Sequence, residues 1–269
     1  MEIIKIVQSG KEITSNVFEE SFSMKEFLEG QVLDIIKKAC ETKKYDGGVF
    51  LNLELASSEL NKMSHRFSEV LNLPFIEYDP ETDLVDELNK AKEHHKWTIS
   101  YFDYPKGKEE YSIESLLTVG NGYFGLRGTT PEMLISDANY PATYIAGVYN
   151  TLESTIGENK VENEDFVNLP NAQKIYLVVG KEVVNIENND VMYLRRELNL
   201  KSGELFTRTK IALKTGGTLE VKSKKIASMS NKHFYGIHYQ FKVTGNVSDV
   251  KLISEIDGDV FNYNVERYR

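Results

Sequence analysis

The chain has 269 residues, 41% hydrophobic and 27% charged, with 6 prolines. That is enough for one large or two modest domains with their own cores, and it excludes fibrous, low-complexity and largely disordered classes. Its 32 basic and 41 acidic residues give a net charge of -9, the wrong sign for a general binder of nucleic-acid phosphates, and the lone cysteine, Cys40, excludes an internal disulfide and a multi-cysteine zinc site.

The acidity is concentrated before residue 96, where 11 Lys and Arg face 19 Asp and Glu, whereas 21 face 22 in the remainder. Of the 15 tyrosines only Tyr45 and Tyr78 lie in that first part. Two folds are therefore expected, 1–95 and 96–269, with the boundary near His94 to Lys96. Ile3 to Val7 reads as a first strand. Phe27, Leu28, Val32, Ile35, Ile36 and Ala39 then recur at helical spacing behind a capping box, Ser23 with Glu26. Val49 to Leu55 reads as a strand, Leu60 to Leu71 as a helix, and Phe75 to Tyr78 as another strand. A third helix runs through Leu84 to Ala91, with Asp79 as cap and Pro80 in its first turn. Alternating strands and helices predict a small α/β domain.

After Trp97 the pattern changes to alternation, clearest at Tyr235, Ile237, Tyr239, Phe241 and Val243. Further strands are predicted at Ile175 to Val179, Val191 to Leu194, Leu205 to Leu213, Thr218 to Ser223 and Val250 to Ile256, separated by turns such as Lys201-Ser202-Gly203 and Thr215-Gly216-Gly217. Gly157 to Pro170 reads as an acidic loop. The second part is thus mainly β, in the manner of a sandwich.

Gly120-Asn121-Gly122-Tyr123-Phe124-Gly125-Leu126-Arg127-Gly128 contains the spacing G-x-G-x-x-G. A dinucleotide site needs a helix at once after the glycines, and Gly128 and Pro131 interrupt one. The glycines instead point to a tight, closely packed backbone path, and Arg127 needs carboxylate or carbonyl acceptors or a ligand. The histidines, His65, His94, His95, His233 and His238, have no metal-binding spacing, and His233 and His238 are placed on one strand. No metal is expected. Cys40 reads as a packing thiol. The carboxylates Glu109, Glu110 and Glu114, and again Glu162, Glu164 and Asp165, are enough for an acid and base pair by count alone, but such clusters ordinarily form solvated loops. Asn246-Val247-Ser248 fits a glycosylation sequon. No apolar run approaches the roughly 18 residues of a membrane span, and Met1-Glu2-Ile3-Ile4-Lys5 lacks a signal-peptide pattern. A cytoplasmic protein without membrane or nucleic-acid partners is expected.

Glu114-Ser115-Leu116-Leu117-Thr118-Val119, running into Gly120 to Gly128, resembles the N-terminal signature of glycoside hydrolase family 65, which includes maltose, trehalose and kojibiose phosphorylases. The resemblance continues at Tyr144 to Asn150, Val167 to Asn171, Arg196 to Leu200 and Gly203 to Leu205, covering about Trp97 to Asp259. It implies a large antiparallel super-β-sandwich, preceded here by the small α/β domain. In that family the sandwich is followed by an (α/α)6 barrel that carries a glutamate acid and a phosphate pocket. The expectation is then an N-terminal part of a carbohydrate-metabolising enzyme, inactive by itself, with all catalytic residues beyond Arg269. The complete enzyme would perform inverting phosphorolysis of an α-glucoside, with inorganic phosphate as co-substrate, no cofactor, and glucose 1-phosphate as product. Expected partners are its own barrel, the disaccharide and a second copy as a homodimer. Asn121, Tyr123 and Arg127 are the candidate residues at an interdomain or substrate edge. The alternatives are a carbohydrate-binding module and the N-terminal domain of a family 65 hydrolase.

Overall fold

The computed structural model describes residues 1–105, 107–245 and 249–262. It divides into two compact units, Met1–Thr98 and Ile99–Arg269.

The first unit runs β1 (Ile3–Ser9), β2 (Glu12–Ser15), β3 (Phe18–Ser23), α1 (Met24–Glu29), α2 (Gln31–Thr42), β4 (Gly47–Leu51), α3 (Ser57–Leu71), β5 (Phe75–Glu77) and α4 (Leu84–Trp97). Its five strands lie in the order β3-β2-β1-β4-β5, antiparallel in the hairpins and parallel across β1-β4-β5. The α/β character is as expected, with three local differences. The Ser23/Glu26 capping box is present, but the helix behind it is broken at Gly30, whose φ of 87° ends α1. Asp79 does not cap α4; it closes a preceding turn onto Glu81 and Thr82, and Asp83 caps the helix through the Asp86 N–H at 2.9 Å. β4 ends at Leu51, because Asn52 takes a left-handed φ of 55°.

Ile4, Ile6, Val32, Ile36 and the rings of Phe27, Phe50, Phe67 and Phe75 form the core of this unit. The four rings meet at centroid distances of 5.1–6.1 Å, mostly edge-on or tilted, the geometry that aromatic quadrupoles favour. Cys40 packs against this cluster, and burial pushes its thiol pKa up, as suits an unreactive packing group.

The second unit opens with β6 (Thr98–Tyr101), α5 (Lys108–Leu116), β7 (Val119–Gly120), β8 (Phe124–Leu126) and β9 (Thr143–Ile145). A hairpin follows, β10 (Tyr149–Ile156) with β11 (Asn159–Phe166), then β12 (Asn171–Val179), β13 (Glu182–Val184), β14 (Asp190–Asn199), β15 (Glu204–Ala212), β16 (Thr218–Ala227), β17 (Tyr235–Thr244) and β18 (Val250–Asp257). Residues 159–166 are therefore a strand and not the loop expected; their register with β10 is unbroken from Tyr149–Phe166 to Ile156–Asn159. Glu162 and Glu164 are exposed on one face and Val161 on the other, so no burial of alternate residues marks the strand. His233 lies in the turn before β17, not on it.

The large sheet has the order β17-β16-β15-β14-β6, and β13-β12-β18 forms a second. Leu177, Val179 and Val184 of the second meet Leu194, Ile211, Leu219 and Val221 of the first in one buried cluster. The other end of the same large-sheet face, Leu198, Leu205 and Ala227, is covered by Ile113 and Leu117 of the α5 segment and by Phe124 and Leu126 of β8. Antiparallel layers around one interior make this a β-sandwich. Between the two apolar ends runs a polar belt. In register across β14, β15, β16 and β17 stand Arg196, Thr207, Ser223 and Tyr239, and Arg196 is fully buried.

The glycine-rich stretch supplies close approach. A Cβ on Gly128 would lie 2.3 Å from Leu117 Cβ and 2.7 Å from the Leu117 carbonyl oxygen, inside a backbone contact that cannot swing away. At Gly125 the nearest atom would be Thr118 Cγ2 at 3.8 Å, an ordinary contact. Gly128→Ala is expected to cost about 1–3 kcal/mol, the usual range for overpacking, and Gly125→Ala much less. Urea unfolding of the two variants tests this; equal midpoints would remove the close approach as the reason for Gly128.

Candidate functional site

Helix α5 organises the site. Glu110 and Glu114 are one turn apart on it, so both carboxylates leave the same face. They are not the solvated loop expected of such a cluster, being only 1% and 0% exposed. Glu110 pairs through both oxygens with the guanidinium of Arg196, which also donates to the Asp103 carbonyl at 3.1 Å. Glu114 accepts the Tyr140 N–H at 2.9 Å and Arg127 Nη2 at 3.3 Å.

Arg127 follows β8, where that pairing can reach it. Its Nε donates to the Tyr140 carbonyl at 2.9 Å, Nη1 to Ser115 Oγ at 2.6 Å, and Nη2 to the Tyr111 carbonyl at 2.8 Å. The guanidinium also stands over the Tyr140 ring, 5.4 Å from its centroid. The acceptors that the sequence demanded are thus a carboxylate and two carbonyls of the protein itself. Lys225 completes the interior, donating to the carbonyls of Arg127 and Thr129 at 3.1 and 3.3 Å and to the side chain of Gln173.

Burial governs the protonation of these groups. It pushes the Glu114 pKa up to about 7, against the lowering effects of the Tyr140 N–H and of Arg127, and brings Lys225 down to about 8. Glu132 is also raised by burial, although Tyr239 donates to it at 2.8 Å. A buried carboxyl that holds its proton near neutrality resembles a catalytic acid. Here Glu114 has no exposed surface, so it cannot touch a substrate in this conformation.

Asn121 and Tyr123 lie elsewhere in the unit. The Asn121 carboxamide oxygen accepts the N–H groups of Tyr123 and Phe124 at 3.1 and 3.2 Å, closing the turn at Gly122, while its amide nitrogen donates to the carbonyls of Ser228 and Lys232 at 2.8 and 3.1 Å. Tyr123 packs edge-on against His233, with centroids 4.5 Å apart. These two residues thus hold the loop between β16 and β17, whereas Arg127 lines a cleft of about 450 Å³ with Tyr111, Ser112, Ser115, Tyr140, Tyr144 and Phe166. The three sequence candidates do not converge on one point. Tyr140 and Phe166 carried no sequence signal beyond aromaticity, and Tyr144 stood only as the first residue of a family motif.

Among the described residues no group of three or more His, Cys, Asp or Glu can hold a metal, and no helix is long and apolar enough to cross a membrane. The sequon at 246–248 lies outside the described residues.

The second unit is thus a β-sandwich whose buried carboxylates Glu110 and Glu114 are paired inside it with Arg196 and Arg127. Residues 99–269 match the family model described as "Glycosyl hydrolase family 65, N-terminal domain", and the chain belongs to that family. It is 34% identical over 174 residues to trehalose 6-phosphate phosphorylase of Lactococcus lactis, covering 64% of this chain and 22% of that protein. An uncharacterized glycosyl hydrolase of Mycobacterium tuberculosis is 32% identical over 190 residues, 70% of this chain and 14% of that protein. A solved structure named "Putative kojibiose phosphorylase from human microbiome" shares the fold, with a TM-score of 0.57 at 19% identity over 63% of this chain and 23% of that one. The chain therefore spans less than a quarter of the length of these relatives.

Two measurements probe the ionic interior. Arg127→Ala leaves the buried Glu114 without its cation and is expected to destabilise the chain by about 3–5 kcal/mol at pH 8, and less at pH 5, where Glu114 is protonated. Glu114 also sets a pH slope. Its pKa is about 7 folded against 4.5 as an ordinary carboxyl, so the folded chain holds the extra proton between these values and stability falls as pH rises from 4.5 to 7. Glu114→Gln is expected to flatten that fall in thermal melts across the range; an unchanged slope would assign it to Glu110 and Glu132 instead.

Proposed function

We propose that residues 99–269 are the non-catalytic sandwich of a disaccharide phosphorylase acting on α-glucosides, and that they support a catalytic (α/α)6 barrel belonging to the same enzyme. The observation that carries this reading is the N-terminal-domain match together with a relative of which the match covers only 22%. The named relatives support the reaction class, since they include trehalose 6-phosphate, trehalose, kojibiose and maltose phosphorylases. The interior supports the supporting role, because Glu110 and Glu114 are committed to Arg196 and Arg127 and do not face one another across an open cleft.

In such an enzyme, phosphate attacks the anomeric carbon while a general acid protonates the departing glycosidic oxygen, and the centre inverts. None of the described residues is assigned either role. The edge proposed to meet the barrel is the loop between β16 and β17 that Asn121 and Tyr123 hold. Its Met229 and Phe234 are 82% and 63% exposed, large apolar side chains that a neighbouring domain would cover.

The 269-residue chain incubated with phosphate and maltose, trehalose or kojibiose is expected to release no glucose 1-phosphate, and the complete enzyme to release it. Release of free glucose alone by the complete enzyme would replace phosphorolysis with hydrolysis, and turnover by this chain alone would end the supporting reading.

A further inference from the structure

We propose that the cleft between α5, β9 and the base of the β10–β11 hairpin binds the flat face of a neutral pyranose ring. The choice of a sugar rests on the carbohydrate reading above; the location rests on the cleft itself. Its volume of about 450 Å³ falls in the range of small-molecule sites, roughly 300–1,000 Å³. Tyr111, Tyr140, Tyr144 and Phe166 line it. Two of these rings are fixed by their own hydroxyls, Tyr111 on the Ser136 carbonyl at 2.6 Å and Tyr140 on the Phe261 carbonyl at 2.9 Å. Tyr144 meets Phe166 edge-on with centroids 5.9 Å apart. Phe166 is nevertheless 52% exposed, so a large apolar surface stands open beside rings that are already oriented. A pyranose presents an apolar C–H face to such surfaces and hydroxyls at its rim, where Ser112 Oγ, which donates to the Lys108 carbonyl at 3.1 Å, retains its capacity to accept.

The same geometry argues against an anion. Phosphate recognition by arginine uses the two-pronged edge of the guanidinium, and Arg127 directs four of its five N–H groups to Tyr140, Ser115, Tyr111 and Glu114, which leaves a single N–H on Nη1 and no two-pronged edge. Its role in the cleft is to hold the wall. With little polar lining, the site is built for weak binding of an uncharged ring.

Ligand-observed NMR titration of the chain with glucose, maltose, trehalose and glucose 6-phosphate tests the proposal. The uncharged sugars are expected to bind, and Phe166→Ala and Tyr144→Ala each to weaken them about five- to tenfold, the scale of one aromatic contact. Phe241→Ala, in the second cleft lined by Glu220, Lys222, Tyr239, Gln240 and Lys242, is expected to change nothing; thermal melts confirm that each variant is folded. No binding by any sugar overturns the proposal, as does a loss confined to Phe241→Ala or a glucose 6-phosphate affinity tenfold above that of glucose. Any of those results leaves the supporting role standing, because that role is decided by turnover and not by binding here.

Discussion

The fully buried pair between Arg196 and Glu110 is the constraint on which the sandwich depends. Charged groups leave water at a cost of several kcal/mol each, recovered only when geometry and further hydrogen bonds are nearly complete. Arg196 sits on the interior face of the large sheet, in the row with Thr207, Ser223 and Tyr239, so the strands cannot close over apolar packing alone. Something must deliver a carboxylate to that row, and α5 does so. The same helix delivers a second carboxylate, Glu114, to Arg127, and thereby anchors the glycine-rich stretch. One short helix thus fixes the large sheet, the small β7-β8-β9 sheet and the wall of the aromatic cleft.

This arrangement accounts for the acidic residues that the interior of the second unit holds. Three buried carboxylates whose pKa burial raises each have a structural commitment: Glu110 to Arg196, Glu114 to Arg127 and the Tyr140 N–H, Glu132 to Tyr239. A pKa raised by burial marks low dielectric in each case, and at Glu114 low dielectric is combined with complete inaccessibility. The chemical signature of an acid catalyst and that of a buried clamp are therefore alike in pKa and separated by exposure.

Much of the architecture was legible in the residues. The alternation in β17 marks a strand because Tyr235, Ile237, Tyr239 and Val243 are partly covered while Gly236, His238, Gln240 and Lys242 between them are exposed, and the Ser23/Glu26 box marks a helix start because both side chains close on each other's backbone N–H groups. The differences have equally local causes. Gly30 sits inside an apolar stripe that runs on through both α1 and α2, so periodicity alone does not reveal the break. Asp79 and Asp83 are equivalent as letters, and only the chain path decides which meets a helix N-terminus. The β10–β11 hairpin has water on both faces, so its side chains are under no alternating constraint and read as a loop.

By itself the sequence determined the class of each unit, the need of Arg127 for acceptors, the refusal of a nucleotide-binding helix after Gly125, and the family. Those properties reside in nearest neighbours along the chain: period, turn chemistry and ordered motifs. Tertiary structure alone decided that Glu110 and Glu114 are buried, that Asn121 and Tyr123 serve the loop between β16 and β17 while Arg127 serves the cleft, and that Tyr111, Tyr140, Tyr144 and Phe166 share a wall. The physical reason is distance in sequence. Glu110 and Arg196 are 86 positions apart, and nothing in either neighbourhood names the other until the strands between them have been laid side by side.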